Sequence, residues 1–279
     1  MNTGEFSVMT FPFLPERVFG WISRKKLVSL VARYGFPAVD LMDLSEGSAK
    51  KYKKLLAERG MKTNCYIASV SVLGKEDAVK ARLNKQMAIA RLLGARYFML
   101  VPAGYAKCAE QTWREKLLFA FSHCVQCAEG LTVCFETTPH AKSLLCSASD
   151  CRYLLERVEG LKYVLDTANM RPAGEEPLSH YEALKEYVAY AHIKDVKLQR
   201  KGEKAPAFTG AEYTAAGERM VCVPYGEGVT PVKEMVSRLK ADGYTGLFAL
   251  EYSRPLGLLH GEKGHEAHLK KYIRALENL

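Results

Sequence analysis

The chain alternates between short apolar runs and longer stretches with helical periodicity. In the helical stretches apolar residues recur three and four positions apart, as at Leu27, Leu30 and Val31, which is the spacing of one buried helix face. Glycine ends six of these stretches, where a left-handed cap favours it. The apolar runs predict eight strands: Phe6–Phe11, Ala38–Met42, Thr63–Ser69, Tyr97–Val101, Leu131–Glu136, Tyr163–Asp166, Tyr190–Ile193 and Leu247–Glu251.

Repeating strand–helix units of this kind fill residues 1–279 without a linker. Strands joined through helices are parallel, and right-handed crossovers can close eight of them into a barrel. The strands are almost wholly apolar, as strands buried on both faces are. We therefore predict one α/β domain, a single (β/α)8 TIM barrel. The alternative is an open doubly wound sheet, but no GxGxxG motif follows the first strand to support it.

Composition and charge restrict the partners and the compartment. The net charge of +9 permits an anionic substrate, but no arginine-rich stripe interleaved with aromatics indicates a specific nucleic-acid partner. Apolar stretches of about ten residues are too short for the roughly 20 of a membrane span, so no membrane association is expected. Without a recognisable signal peptide, the eight scattered cysteines are predicted to be free thiols in the cytoplasm.

Four consecutive strands deliver ionisable side chains to one rim. In a (β/α)8 barrel the active site lies at the C-terminal ends of the strands. Strands five, six and eight end at Glu136, Asp166 and Glu251, and strand seven carries His192 near its end. Side chains alternate along a strand, and the bulkier face of strands five and eight suits the surrounding helices. The acids are therefore expected to point toward the barrel axis.

Three carboxylates that converge in a semi-buried mouth repel one another, and a divalent cation offsets that repulsion. Three carboxylates and one imidazole suit Mn²⁺, Mg²⁺, Co²⁺, Fe²⁺ or Zn²⁺, with open positions for water or substrate. We predict that these four residues bind one divalent metal ion. The alternative is that each acid only caps or pairs with the loop that follows its strand.

Five segments around these residues carry a family resemblance: GFPAVDLMD, CFETTPH, VLDTANM, AHIKDVK and VPYGEGVTPVKEMVSRLKADGYTGLFALEY. They resemble the xylose isomerase-like barrel superfamily, which includes sugar phosphate isomerases and epimerases, inosose dehydratase and endonuclease IV. The last segment is the most specific, because it joins a GEG turn, an amphipathic helix and an apolar strand ending in Glu. The resemblance covers nearly the whole chain and implies the same four metal ligands.

The resemblance implies a metal-dependent isomerase or epimerase of a sugar, sugar phosphate or inositol derivative, and thus a small-molecule carbohydrate substrate. The metal ion would stabilise an enediolate formed when a proton leaves the carbon next to a carbonyl. Glu136 and Glu251 are the candidate catalytic residues that remove and return this proton, each doubling as a ligand.

Three further residues are candidates for binding the substrate. Lys194 either holds a substrate oxygen or forms a salt bridge with Asp195 at the rim. Asp40 lies at the end of strand two. Asn169 stands where family members that epimerise free ketoses often have His, and Lys142 stands where they often have a second Glu. These two differences argue against a free-ketose 3-epimerase.

Other functions stay open. An inosose dehydratase-like lyase would use the same chemistry with loss of hydroxide, and a non-catalytic barrel would only bind a ligand. An endonuclease acting at abasic DNA would need extra histidines for three zinc ions, and none lies in the strands Thr63–Ser69 and Tyr97–Val101. The sequence does not decide the metal, the substrate or whether the chain forms a homo-oligomer.

Two segments are ambiguous. Residues 197–220 follow a strand end and are expected to lie over the mouth, either as a substrate-covering loop or as a solvated insertion. In the C-terminal stretch His260, His265 and His268 are expected to be exposed on the closing helix rather than to bind a metal.

Overall fold

Eight parallel strands close into the predicted barrel. The computed structural model describes residues 1–10, 22–200, 203, 212–252 and 261–279. Barrel strands follow one another in chain order, and the last strand pairs with both the first and the seventh. They are β1 (Phe6–Met9), β2 (Ala38–Met42), β3 (Lys62–Ser71), β4 (Tyr97–Ala103), β5 (Thr132–Glu136), β6 (Lys162–Asp166), β7 (Val188–Ile193) and β10 (Phe248–Leu250).

Helices cover the outside of the barrel between the strands. Within the described residues they are α1 (Arg24–Arg33), α2 (Glu46–Ala57), α3 (Glu76–Leu93), α4 (Glu110–Gln126), α5 (Ala148–Leu155), α6 (Pro177–Leu184), α7 (Val232–Ala241) and α8 (Gly261–Ala275). Ser23 and Ser45 cap the first two, because each hydroxyl accepts a backbone N–H of the first turn. None of the described helices combines the length and the apolar character that a bilayer crossing needs.

The predicted helix ends are confirmed. All six glycines that end the helical stretches have φ between 65° and 89°, which is the left-handed region. They are Gly35, Gly60, Gly94, Gly130, Gly160 and Gly243. The predicted strand bounds differ from the observed ones by a few residues, mostly at β3 and β4, which extend further. Phe11, the predicted end of the first strand, lies outside the described residues.

Two apolar layers decide which way the strand-end side chains point. Cys134 and Ala249 pack inside the barrel, in a cluster that also contains Val164 and Tyr190. Phe135 packs instead into the layer between the strands and the helices. Glu136 and Glu251 lie two residues beyond Cys134 and Ala249, so they share the inward face, as the alternation predicts.

The closing helix α8 contradicts the sequence-based expectation for its histidines. His265 is completely buried and His268 is nearly so, and the His268 ring packs against Tyr252 and Tyr272. His260 lies outside the described residues, and the prediction was wrong for His265 and His268 because it judged them by residue type. Their spacing to Leu269 and Tyr272 follows the same three-and-four pattern as the buried apolar residues, and that pattern places them on the buried face.

Candidate active site

The structure brings the four predicted ligands together at the C-terminal end of the barrel. One potential ligand atom from each of Glu136, Asp166, His192 and Glu251 lies within 4.8 Å of all the others. Asp166 and His192 are completely buried, whereas the Glu136 and Glu251 side chains keep 16% and 21% of their surface exposed. The two glutamates are therefore the members of the group that a small molecule in the mouth can reach.

Hydrogen bonds between neighbouring strand ends hold these residues in register. The Thr167 amide donates to the His192 carbonyl at 3.2 Å, and the Glu251 amide donates to the Ile193 carbonyl at 3.2 Å. The Thr167 hydroxyl also donates to the Lys194 carbonyl at 2.6 Å and accepts the Lys194 amide at 2.8 Å. Strands β6, β7 and β10 are thus tied at the level of the ionisable side chains.

His192 and Asp166 have different surroundings within the group. His192 Nδ1 lies 2.8 Å from Glu136 Oε1 and 3.4 Å from Glu251 Oε2, and its ring meets the edge of Tyr190. Asp166 Oδ1 accepts the two consecutive backbone N–H groups of residues 168 and 169, both at 2.7 Å. One Asp166 oxygen is therefore fixed by the backbone, and the other faces the group.

Lys194 is a fifth member of the group. Its ammonium lies 2.8 Å from Glu251 Oε1 and 3.3 Å from Asp166 Oδ2, and it donates to Asn169 Oδ1 at 2.8 Å. Asn169 in turn donates from Nδ2 to the Thr137 carbonyl at 3.0 Å. Two of the predicted substrate-binding residues, Lys194 and Asn169, are therefore placed beside the predicted ligands.

The predicted alternative for Lys194, a salt bridge with Asp195, is wrong. The Asp195 carboxylate instead accepts three backbone N–H groups of the loop before α7, from Gly226, Gly228 and Thr230, at 2.9–3.1 Å. This cradle of amides fixes the residue next to Lys194, and so directs the Lys194 side chain to the other side of the strand.

Gly228 is expected to be essential to this cradle. A Cβ atom at this position would overlap the Asp195 carboxylate and the Val196 carbonyl. We expect Gly228→Ala to lower the free energy of unfolding by about 1–3 kcal/mol, as overpacking does. Urea unfolding measures this, with Gly47→Ala on α2 as the control, because nothing lies within 4 Å of its added methyl. Equal stability of the two variants would contradict the role of the cradle.

Burial and neighbouring charges compete in setting the pKa values of the group: the pKa of Asp166 and that of Lys194 are raised, and the pKa of Glu251 is lowered. Burial raises the pKa of Asp166 well above its usual range; Lys194 opposes this, and the Glu251 and Glu136 carboxylates add to it. Burial also acts to raise the pKa of Glu251, but Lys194 and His192 outweigh it, so the pKa of Glu251 is lowered. For Lys194, burial acts to lower the pKa, and the carboxylates outweigh it and raise it well above its usual range. Glu251 is thus held ionised beside a charged ammonium.

Two observations indicate that the side chains of the group suit a divalent metal ion. His192 Nε2 is buried and has no hydrogen-bond partner among the described residues, while Asp166 Oδ2 and Glu251 Oε2 make no hydrogen bond there and only face Lys194 Nζ at 3.3 Å and His192 Nδ1 at 3.4 Å. Buried polar atoms in proteins are nearly always satisfied, so His192 Nε2 in particular indicates a missing partner. Metal ligands bind in their deprotonated forms, so with an ion bound the imidazole would be neutral, and three carboxylates and the Lys194 ammonium would leave a net charge of −2, which one divalent cation balances.

Asp40, the third predicted substrate-binding residue, is not brought to this group. It lies at a bulge between β2 and β3, where its Oδ1 accepts the Cys65 N–H at 3.1 Å. Its Oδ2 accepts the Tyr190 hydroxyl at 2.5 Å, and the carboxylate is buried inside the barrel. Both carboxylate oxygens therefore already accept hydrogen bonds inside the barrel. The bond to Cys65 is needed there, because a backbone N–H that a bulge leaves unpaired requires a buried acceptor.

The segment after β7 contains a hairpin that the sequence analysis missed. Strands β8 (Asp195–Gln199) and β9 (Arg219–Val223) are antiparallel. Val196 and Met220 pack together with Ala168; the alternation of Val196 and Leu198 with polar residues and the apolar run from Met220 to Val223 are the signals that could have identified the two strands. Residues 201, 202 and 204–211 of the predicted covering segment lie outside the described residues.

Glu212 lies on the segment that leads into β9, and the sequence analysis did not single it out. Its backbone pairs with Met220, and the hairpin tip is anchored where the Ala215 amide donates to the Arg171 carbonyl at 3.1 Å. Burial raises the pKa of Glu212, while Lys194 acts to lower it and Glu251 to raise it. The charges of the group therefore influence Glu212, which is assigned no role in it.

Comparison with known proteins identifies the family and the solved structures that this chain resembles. A family model described as a xylose isomerase-like TIM barrel matches residues 28–276. No curated protein sequence matches the chain. The family match covers almost every element described above, including all four clustered strand-end residues.

Solved structures share the fold at low sequence identity. The probable 3-DHS dehydratase AsbF of Bacillus anthracis has a TM-score of 0.73 at 18% identity, over 98% of this chain and 99% of that chain. The 3-keto-D-glucoside 4-epimerase YcjR of E. coli has a TM-score of 0.69 at 13% identity, over 98% and 97%. A xylose isomerase-like TIM barrel protein of Mycobacterium smegmatis, in complex with magnesium, has a TM-score of 0.63 at 16% identity, over 99% of both chains. Likeness at these identities shows the fold alone.

Proposed function

We propose that this chain, which belongs to the xylose isomerase-like TIM barrel family, is a metal-dependent isomerase or epimerase of a sugar, sugar phosphate or inositol derivative. The observation that carries the proposal is the convergence of Glu136, Asp166, His192 and Glu251, together with the buried His192 Nε2 atom, which has no hydrogen-bond partner among the described residues. Such a group is built to hold a divalent ion at the place where a barrel enzyme binds its substrate.

The proposed ligands are the four clustered side chains. A bound divalent ion supplies Lewis acidity, which stabilises negative charge on substrate oxygens. His192 is held for this by Glu136 on one side and the Tyr190 ring on the other. Asp166 is held by the backbone amides that fix its Oδ1. Neither residue has to reorganise, because packing already sets both orientations.

Glu251 and Glu136 are proposed to move the proton. Both carboxylates remain open to the mouth, and a base must reach the carbon-bound proton of the substrate directly. They lie on different strands, β5 and the end of β10, so they can face a substrate from two sides. An epimerisation requires one group to remove the proton and another to return it on the opposite face.

Lys194 is proposed to stabilise the charge that develops on the substrate. Its ammonium is buried and held by Glu251, Asp166 and Asn169, so it is oriented before the substrate arrives. A preoriented cation in a water-poor site stabilises an enediolate oxygen more than the neutral carbonyl from which it forms. Asn169 keeps the ammonium in place by accepting its hydrogen bond.

Proton exchange in D₂O tests the proposal. We would incubate the protein and Mn²⁺ with ketoses, their phosphates, inososes and hydroxypyruvate, and follow the C–H signals next to the carbonyl by NMR. Metal-dependent loss of one such signal supports the proposal. Absence of exchange on every compound, from protein that binds no divalent ion, would favour a non-catalytic binding barrel.

A lyase is a second candidate function. Elimination of water begins with the same removal of a carbon-bound proton and continues with the departure of hydroxide, and a probable dehydratase is among the structures that share this fold. The same NMR experiment separates the two reactions. An isomerase or epimerase conserves the atoms of its substrate, whereas a lyase gives a product that has lost one water and has a new alkene or enol signal.

A further inference from the structure

A line of hydrogen-bonded side chains runs from α6 past the start of β6 to the residue that follows β5. Glu175 Oε2 lies 2.5 Å from His180 Nδ1, and His180 Nε2 lies 2.8 Å from the Tyr163 hydroxyl. The Tyr163 hydroxyl is in turn hydrogen bonded to the Thr137 hydroxyl. We call these four residues the Glu175 relay. His180, Tyr163 and Thr137 are almost completely buried.

The relay connects two helices to two strand ends. His180 lies on α6, and Tyr163 points from β6 into the layer between strands and helices. Glu175 precedes α6 and also accepts the N–H of Ala148, the first residue of α5, at 3.0 Å. A carboxylate at a helix N-terminus is favourably placed, because the unpaired amides there attract negative charge.

The donors and acceptors of the relay are consistent along its length. An ionised Glu175 accepts a hydrogen bond from the Nδ1–H group of His180, which leaves Nε2 as the acceptor for the Tyr163 hydroxyl. The Tyr163 oxygen then accepts the Thr137 hydroxyl. Burial raises the pKa of Tyr163 well above its usual range, which keeps the phenol protonated. Burial acts to raise the pKa of Glu175, but the hydrogen bonds from His180 and Ala148 outweigh it and lower the pKa.

Thr137 joins the relay to the candidate active site. It is the residue after Glu136, and its carbonyl accepts Asn169 Nδ2 at 3.0 Å. Asn169 Oδ1 accepts the Lys194 ammonium at 2.8 Å. The hydroxyl of Thr137 thus faces the relay while its backbone carries Asn169, and movement of Thr137 would shift both Glu136 and the partner of Lys194.

We propose that Tyr163 and His180 are positioning residues, which hold Thr137 and thereby fix Glu136 and the Asn169–Lys194 pair in the mouth. Neither residue needs to touch the substrate. The effect on metal binding and turnover rests on the proposed function, whereas the effect on the Asn169–Thr137 hydrogen bond does not. Partners behind metal ligands commonly change metal affinity by about 10–100-fold when they are replaced.

Tyr163→Phe tests the relay, with Tyr181→Phe as the matched control. Tyr181, on α6, is a buried tyrosine like Tyr163, but its hydroxyl donates to Asp242 at 2.7 Å. Neither Tyr181 nor Asp242 belongs to the relay. In Tyr163→Phe we expect faster exchange of the Asn169 side-chain amide protons by NMR and an affinity for Mn²⁺ that is about tenfold weaker. We expect Tyr181→Phe to match the wild type in both measurements.

Thr137→Val is the second variant, because it removes the hydroxyl with little change in shape and does not require the Tyr163 ring to shift. We expect it to reproduce both effects of Tyr163→Phe. Unchanged amide exchange and unchanged Mn²⁺ affinity in the two variants would overturn the positioning role. Wild-type protein that takes up no divalent ion would defeat the proposed function instead, while the amide exchange would still decide the role of the relay.

Discussion

Glu251→Gln is expected to lower turnover by about 10²–10⁴-fold, the loss typical of removing general acid–base catalysis. The amide keeps an oxygen beside Lys194 and His192, but it has neither the negative charge nor the basicity of the carboxylate. The fold should survive, because the residue follows β10 at the rim rather than lying in the packed interior of the barrel.

Deuterium incorporation into the substrate at saturating metal measures this effect. Glu227→Gln is the control, since it makes the same change at an exposed position in the loop before α7. Wild-type exchange by Glu251→Gln would show that Glu251 is not the proton-transfer residue, and the role would then pass to Glu136 or Lys194.

Asp166→Asn provides a contrast with Glu251→Gln. Asp166 is completely buried, whereas Glu136 and Glu251 are partly exposed, so it is expected to act only by holding the ion. Activity should fall through loss of metal, and added Mn²⁺ should restore part of it. Failure of Mn²⁺ to restore any activity, with metal shown to be bound, would give Asp166 a further role.

Lys194→Met is expected to lower the free energy of unfolding of the metal-free protein by about 3–5 kcal/mol, as breaking a buried ion pair does. The variant leaves Asp166 and Glu251 without their buried countercharge. A divalent ion should then stabilise the variant more than it stabilises the wild type, because a positive charge next to the ion is gone. Turnover should be lost even with metal bound, since the proposed substrate oxygen has no partner.

Urea unfolding with EDTA, and again with Mn²⁺, tests this expectation. The control is Lys197→Met, which makes the same change at an exposed position on β8 and should stay within about 0.5 kcal/mol of the wild type. If Lys194→Met were as stable as the wild type in EDTA, the ammonium would not be the countercharge of the buried carboxylates. If Mn²⁺ stabilised both proteins equally, the ion would bind away from Lys194.

The pattern along the chain determined the barrel and the location of its ionisable side chains. Apolar runs, helical periodicity and glycine helix ends are local signals, and parallel strands joined by helices have few ways to pack. Because the C-terminal ends of those strands meet at one rim, Glu136, Asp166 and Glu251 could be grouped without knowledge of any contact. Strand alternation then predicted which way the acids point.

Only the tertiary structure decided which polar atoms meet. The sequence left Lys194 between a salt bridge with Asp195 and a place in the mouth, and the amide cradle around Asp195 settled the alternative. Asp40 looked like a rim residue, but the structure places it inside the barrel, where its carboxylate accepts the N–H of Cys65 at the β2–β3 register shift and the Tyr190 hydroxyl. Register shifts and loop conformations of this kind depend on distant partners, so no local pattern records them.

The Glu175 relay shows the same limit most clearly. Its members Thr137, Tyr163 and His180 come from a strand end, a strand and a helix, and the hydrogen bonds join residues 17 and 26 positions apart. Each of them has an ordinary interpretation in its own segment, as a loop threonine, a strand tyrosine and a helix histidine. Their common role exists only because burial removes water as a partner, so each hydroxyl and ring nitrogen must bond to whichever polar group the packing brings within reach.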